Sequence, residues 1–434
     1  MILFRKTGAN LALIALCCLV TGATEWLGAA EPLPGVEDGF SFPTSDWPWW
    51  RGPWRNGTAP ADQDPPTQFG EEENILWRTP VPGRGHGSPT MVGDRIFLAT
   101  ADEDSGAQYL LCFDRHTGER RWMTTVHPHG GMAKNKRSTM ASSTPACDGQ
   151  HVFIAFPNNG AIIASALDLD GDIVWRRKVS DYVVHQGYGA SPALYRHMVI
   201  VVADNKGGGA LVAFDRTTGD VVWRRERPAT PNYPTPTLVH AGGRDQLIMV
   251  GCDQIVSYNP STGETLWETP GATTECVTST LTDGTHVYST GGYPKNHMAA
   301  VRADGNPETV WENGLRVYVP SLVIRDGYLY GVLDAGIAMC WKADTGKEMW
   351  KARLGGNYSA SPVLVGDRIY ACSEQGDVHI YRARPDRFEA LSRNHLGDEV
   401  FATPTIVGGR IYHRVAYWNG PAVRREELIC IAAP

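Results

Sequence analysis

The stretch SPTMVGDRIFLAT, followed by LLCFDRHTGERRW, occupies Ser88 to Trp122 and then recurs along the chain. It returns as SPALYRHMVIVVAD with LVAFDRTTGDVVW, as SLVIRDGYLYGVLD with AMCWKADTGKEMW, and as SPVLVGDRIYACSE. A fixed period constrains the fold before any local feature does, because each copy must bury its apolar face against its neighbours. Unit starts fall at Ser88, Thr144, Ser191, Thr235, Ser279, Ser321, Ser361 and Thr403. In seven of the eight, an apolar or aromatic residue suited to a strand follows nine positions later, at Phe97, Phe153, Ile200, Tyr288, Tyr330, Tyr370 and Tyr412. Unit ends fall at Trp77, Trp122, Trp175, Trp223, Trp267, Trp311 and Trp350, spaced 39 to 53 residues apart.

Short β-rich runs inside each unit alternate with Gly-Asp or Asp-x-x-Thr-Gly turns, the mark of consecutive antiparallel strands. Four such strands in a repeat of about 40 residues make a propeller blade. The fold expected is therefore all-β, an eight-bladed β-propeller of four-stranded antiparallel blades. Trp77 ends a strand, NILWRTP, that has no start before it, and the last unit, TPTIVGGRIYHRV through LICIAA, lacks an outer strand. Open edges at both ends are costly and adhesive. Pairing the N-terminal strand with the C-terminal blade removes both and closes the ring.

The first thirty residues carry Arg5 and Lys6, an apolar run from Leu11 to Val20, and small residues ending at Ala29 and Ala30. That three-part pattern reads as a secretory leader, and the run is short for a bilayer span. The expected organisation is a signal peptide over 1–30, an N-terminal extension and tryptophan-rich clasp over 31–76, and the propeller over 77–434, secreted or periplasmic. The clasp contains DWPWWRGPWRNGTAP, in which Trp47, Trp49, Trp50 and Trp54 fall within eight positions. Together with Trp77 they are expected to pin the ring closure against the outside of neighbouring blades. Each tryptophan can bury about 150–250 Å².

The net charge is −7, and it becomes −8 without residues 1–30. A mildly acidic chain whose only dense basic patch is KNKR at 134–137 has no footprint for nucleic acid. Seven cysteines follow the leader, none adjacent to another and none in a C-x-x-C pair, so they read as small buried hydrophobes. No G-x-S-x-G, H-E-x-x-H or G-x-x-x-x-G-K pattern occurs.

The repeat resembles the pyrroloquinoline quinone (PQQ) repeat family of eight-bladed propellers, most closely in AFDRTTGDVVW (Ala213 to Trp223) and WKADTGKEMW (Trp341 to Trp350). That resemblance runs through nearly all of residues 46–434. It implies two functions: a non-catalytic scaffold, as in the propeller subunit of the bacterial outer-membrane β-barrel assembly machinery, or a quinoprotein oxidoreductase of alcohols or sugars using PQQ and Ca²⁺. The dehydrogenases of the family carry a vicinal disulfide over the quinone, whereas the only vicinal cysteines here, Cys17 and Cys18, fall in the expected leader. The scaffold is therefore expected, a monomer without catalytic residues, cofactor or metal, binding a protein, peptide or polysaccharide.

Alternating strand direction puts the connections between blades, and those between second and third strands, on one face. The Gly-Asp and Asp-x-x-Thr-Gly turns lie on the other. DLDGD at 168–172 then sits at an ordinary strand turn, with glycine too early for a calcium loop. The first face collects His86, His185, Tyr188, Tyr233, Tyr318 and Tyr358, with Asp334 and Glu374 from the companion loops. Arg137 joins them from the longest insertion, Thr124 to Ser143. These nine are the expected ligand-binding residues around the channel mouth. His127 and His129 in the same insertion lack the further ligands that zinc needs.

Overall fold

Strands Thr90–Val92, Arg95–Asp102, Ala107–Asp114 and Arg120–His127 form the antiparallel sheet of the first repeat in chain order, and the same sheet is built seven more times. The protein is described here by a computed structural model covering residues 1, 35–420 and 423–433. The expected leader falls, apart from Met1, outside the described residues. All strands belong to one unit, Leu33–Pro434. The blades span 90–127, 146–181, 193–227, 237–270, 281–313, 323–353, 363–395 and 405–432. The eighth takes its outermost strand from Ile75–Val81, which pairs antiparallel with Val423–Ala432. The ring closes as the unmatched end strands require. Among the described residues no helix is long and apolar enough to cross a membrane.

The register seen in the sequence is a cross-strand pairing. In seven blades the residue two after the unit start faces the residue nine after it, as in Thr90 with Phe97, Val323 with Tyr330 and Thr405 with Tyr412. Those partners lie inside the sheets, Phe97, Phe153 and Tyr412 all essentially without exposed surface. Burying one such ring is worth about 1.5–3 kcal/mol.

The start residues themselves form a ring around the axis. Ser88 N donates to Thr144 Oγ1, Thr144 N to Ser191 Oγ, and Ser191 N to Thr235 Oγ1, each at 3.0 Å. Ser279, Ser321 and Ser361 continue the pattern by donating to Ser321, Ser361 and Thr403 at 2.9–3.0 Å. A serine or threonine recurs at this position because its hydroxyl satisfies the amide of the preceding blade at a place no ladder reaches.

The unit-end tryptophans tie blades together at the rim. Trp122, Trp175 and Trp223 donate their indole N–H to Leu169 O, Arg216 O and Pro260 O of the following blade at 2.9–3.1 Å. The ring of Trp77 covers Gly118 and that of Trp175 covers Gly219, both glycines at positive φ with no space for a Cβ. This contact accounts for the Thr-Gly of the repeated turn. Asp168–Asp172 is such a turn: Asp168 Oδ1 accepts the amides of Asp170 and Asp172 at 3.0 and 2.9 Å. All seven described cysteines are buried and free.

Candidate functional site at the channel mouth

The inner strands run from the loop face toward the turn face, and the N-terminal segment lies across their far ends. Trp47 exchanges two backbone hydrogen bonds of 2.8 Å with Met91 of the first blade, and Pro48 O accepts from Cys147 N of the second. Arg55 reaches Leu194 O of the third, and Arg51 donates to Leu322 O and Pro362 O of the sixth and seventh. Thr58–Ala59 then adds a parallel strand to the inner edge of the seventh blade. The tryptophan segment therefore lies over the hub from within, and not against the outside of the blades as the sequence suggested. The inner strands are the edges left with free carbonyls and amides, so a returning chain finds its hydrogen bonds there.

The four tryptophans have separate roles in this floor. Trp47 and Trp49 are buried, and Trp49 sits among Phe40, Phe42 and the Arg55 guanidinium, 4.1 Å from its ring. Trp50 turns upward, donating its indole N–H to Ser279 Oγ at 2.8 Å. Trp54 is 49% exposed and outside the packing. Trp77 stands apart in the closing blade, tilted against Tyr412.

Above Trp50 lies a cavity of about 500 Å³ toward the loop face. Its wall includes His86, Arg137, His185, Tyr188, Tyr233, Tyr318 and Asp334, seven of the nine residues expected there. The hydroxyls of Thr144, Ser191, Thr235, Ser321, Ser361 and Thr403 line it near the floor. Tyr358 instead packs, fully buried, in the core of the sixth and seventh blades. Glu374 stands behind the wall, accepting from Ser359 Oγ at 2.6 Å. Arg137 reaches across from the long insertion to Glu374 at 3.3 Å. In that insertion His127 is buried, which lowers its pKa to about 4, while His129 is exposed, so the two do not converge.

One wall residue escaped the sequence reading. Glu275 is buried at 5% exposure on the connection into the fifth blade, the segment ECVTST. Its backbone is held by the bridge to Tyr293 and by Thr273 Oγ1, which donates to Glu275 O at 3.0 Å. Its carboxylate lies 3.4 Å from His185 Nδ1, and that nitrogen is 3.2 Å from the Tyr233 hydroxyl. Burial pushes the Glu275 carboxyl above its usual range, partly offset by His185, Lys206 and the hydroxyls of Tyr318 and Tyr233. Asp334 is also raised by burial, although Tyr318 N donates to its Oδ2 at 2.9 Å. A signal for Glu275 existed in the repeat: it precedes the start Ser279 by four residues, on the loop face.

Seven carboxylates are buried among the described residues. Asp38 pairs with Arg55, Asp46 with Arg115, Asp204 with Arg227, Glu374 with Arg137, Glu426 with Arg414 and Glu427 with Arg78. Glu275 has no arginine or lysine within ion-pair distance: His185, charged only when protonated, is 3.4 Å away, Lys206 acts from farther off, and the hydroxyls of Tyr318 and Tyr233 donate to it. Among the described residues no three His, Cys, Asp or Glu side chains are placed to hold a metal ion together.

Comparison with known proteins places this architecture. Outer membrane protein assembly factor BamB of Burkholderia pseudomallei (strain K96243) is 23% identical over 341 residues, spanning 76% of this chain and 81% of that one. The crystal structure of BamB from Moraxella catarrhalis superposes with a TM-score of 0.57 at 14% identity, over 82% of this chain and 96% of that one. Quinohemoprotein alcohol dehydrogenase from Comamonas testosteroni superposes at 0.64, also at 14% identity, over 90% and 81%. Both superpositions establish the propeller and leave its chemistry open. The family described as outer membrane protein assembly factor BamB matches residues 70–168, 106–352 and 295–387, most of the propeller, and to that family the chain belongs.

Proposed function

We propose that this protein is a non-catalytic scaffold of the cell envelope that binds a polypeptide segment at the channel mouth, as part of outer-membrane protein assembly. The observation that carries this reading is the asymmetry of the hub: floored by its own N-terminal segment, it leaves a cavity of about 500 Å³ on the loop face, walled by tyrosines, histidines and carboxylates. Cavities of this size and composition suit a side chain or two of an extended partner. Family membership supports a protein rather than a polysaccharide partner. The protein is expected to act as a monomer in the periplasm.

The residues of the hub do not suit the quinone reading. Its carboxylates are dispersed over different blades, Glu275 beside His185, Asp334 under Tyr318 N, and Glu374 behind Arg137. Among the described residues no three His, Cys, Asp or Glu side chains converge there to favour calcium, and none of the seven described cysteines has a neighbouring cysteine in sequence to form a vicinal disulfide.

The test is an array of overlapping peptides from a urea-unfolded outer-membrane β-barrel polypeptide, probed with the labelled protein. A subset of peptides is expected to bind, and Tyr233→Ala is expected to weaken them about tenfold. In parallel, protein incubated with PQQ and Ca²⁺ is expected to gain no quinone absorbance and to leave an artificial dye oxidised in the presence of alcohols. Dye reduction, or silence across the array, refutes the scaffold.

A further inference from the structure

The scaffold reading names a polypeptide but not what in it is recognised, and the charge inventory of the interior supplies that. Of the seven acidic residues buried as whole residues, six meet an arginine; Glu275 meets none, and unlike Asp245, whose covered carboxylate is met by His240 and the Tyr195 hydroxyl, it faces the cavity. A buried carboxylate without a full cationic partner carries an unreturned desolvation cost, and an incoming cation recovers it. We propose that the channel mouth receives an arginine or lysine side chain of the bound polypeptide, with Glu275 as its counter-charge. This proposal rests on the scaffold reading and deepens it.

The surroundings favour an organic cation. Tyr233 and Tyr318 direct their hydroxyls at Glu275, and Trp50 lines the same cavity, so aromatic side chains stand next to the charge. A guanidinium, weakly hydrated and planar, or the stem of a lysine gains from such faces as well as from the carboxylate. The chain makes the same contact within this cavity, where the Arg316 guanidinium lies 5.0 Å from the Tyr318 ring, so the aromatic part of the site for an incoming cation falls to Tyr233 and Trp50. A divalent metal asks for several converging oxygens, and among the described residues Glu275 belongs to no group of three His, Cys, Asp or Glu side chains that could hold one.

The experiment takes peptides that bind in the array and resynthesises each with arginine replaced by citrulline and lysine by norleucine. Affinities are measured by fluorescence anisotropy against the full chain and its Glu275→Gln variant, with Ca²⁺ titrated separately. Removing the peptide charge is expected to weaken binding at least tenfold. Glu275→Gln is expected to cause a similar loss for the parent peptides and little further loss for the uncharged ones. Equal binding of citrulline and norleucine peptides overturns the proposal while leaving the scaffold standing. So does unchanged affinity in Glu275→Gln, or a Ca²⁺ site that depends on Glu275. Failure of every peptide overturns both readings. The peptide substitutions leave the protein untouched, so the result does not hinge on how well the variant folds.

Discussion

The two ends of the central channel are built from similar residues to opposite effect. At the turn side, Trp47, Trp49, Arg51 and Arg55 are all buried, and hydrogen bonds from three of them go to the backbones of four different blades. At the loop side, Tyr233, Tyr318, Glu275 and Asp334 surround open space, and both carboxyls are held above their usual range by burial. The charges of the floor are matched within the chain: Arg55 by Asp38 at 2.6 Å, and Arg51, with no carboxylate, by carbonyls. The mouth retains polar groups that the fold alone leaves incompletely matched. Sites that bind partners commonly carry such a cost within an otherwise consistent structure.

The hardest blow to this contrast is Trp49→Ala. Removing a buried indole from Phe40, Phe42 and Arg55 is expected to cost about 3–5 kcal/mol. Denaturant unfolding measures it as a lower midpoint at unchanged slope. An unchanged midpoint would make the floor an ornament and not a structural element.

Glu275→Gln tests the other end, with a smaller effect of opposite sign. A carboxyl whose pKa is raised in the folded state binds more protons than in the unfolded chain, so its charge opposes folding above that window. The substitution is expected to raise the melting temperature at pH 7. The gain should vanish as the pH falls through the raised value toward the ordinary 4.5, where the carboxyl is neutral in both states. His185, Lys206, Tyr233 and Tyr318 act on the same carboxylate, so the series is repeated in His185→Gln to remove the imidazole from the comparison. A stability loss at pH 7 would place Glu275 with the structural ion pairs. The smallest change belongs to Trp54→Ala, which removes a half-exposed ring from the floor segment and is expected to stay within about 0.5 kcal/mol. A larger loss would mean that the floor extends to Trp54.

Much of this was written into the repeat. The start positions Ser88 to Thr403 announced the blade count, and they turned out to be the hydroxyl ring at the hub. The tryptophan and Thr-Gly positions announced the blade-to-blade contact, since an indole over a glycine leaves its mark at both ends. The channel-mouth residues were legible as a set because strand direction alternates, so position in the unit gives the face. Tyr358 was assigned to the same set, yet its ring turns into the core between two blades, a choice that packing makes and spacing does not record. Glu275 sat in the least regular of the eight connections, where no tyrosine or proline drew attention.

Periodicity by itself determined the architecture, because a repeat that cannot bury its own face must stack, and eight copies with unmatched end strands must close. Which end of the channel the tryptophan segment would cover, and which carboxylate would lack an arginine, were decided only in three dimensions. Those outcomes depend on partners up to 311 residues apart, as between Arg51 and Pro362, and a local pattern carries no record of contacts made at that range.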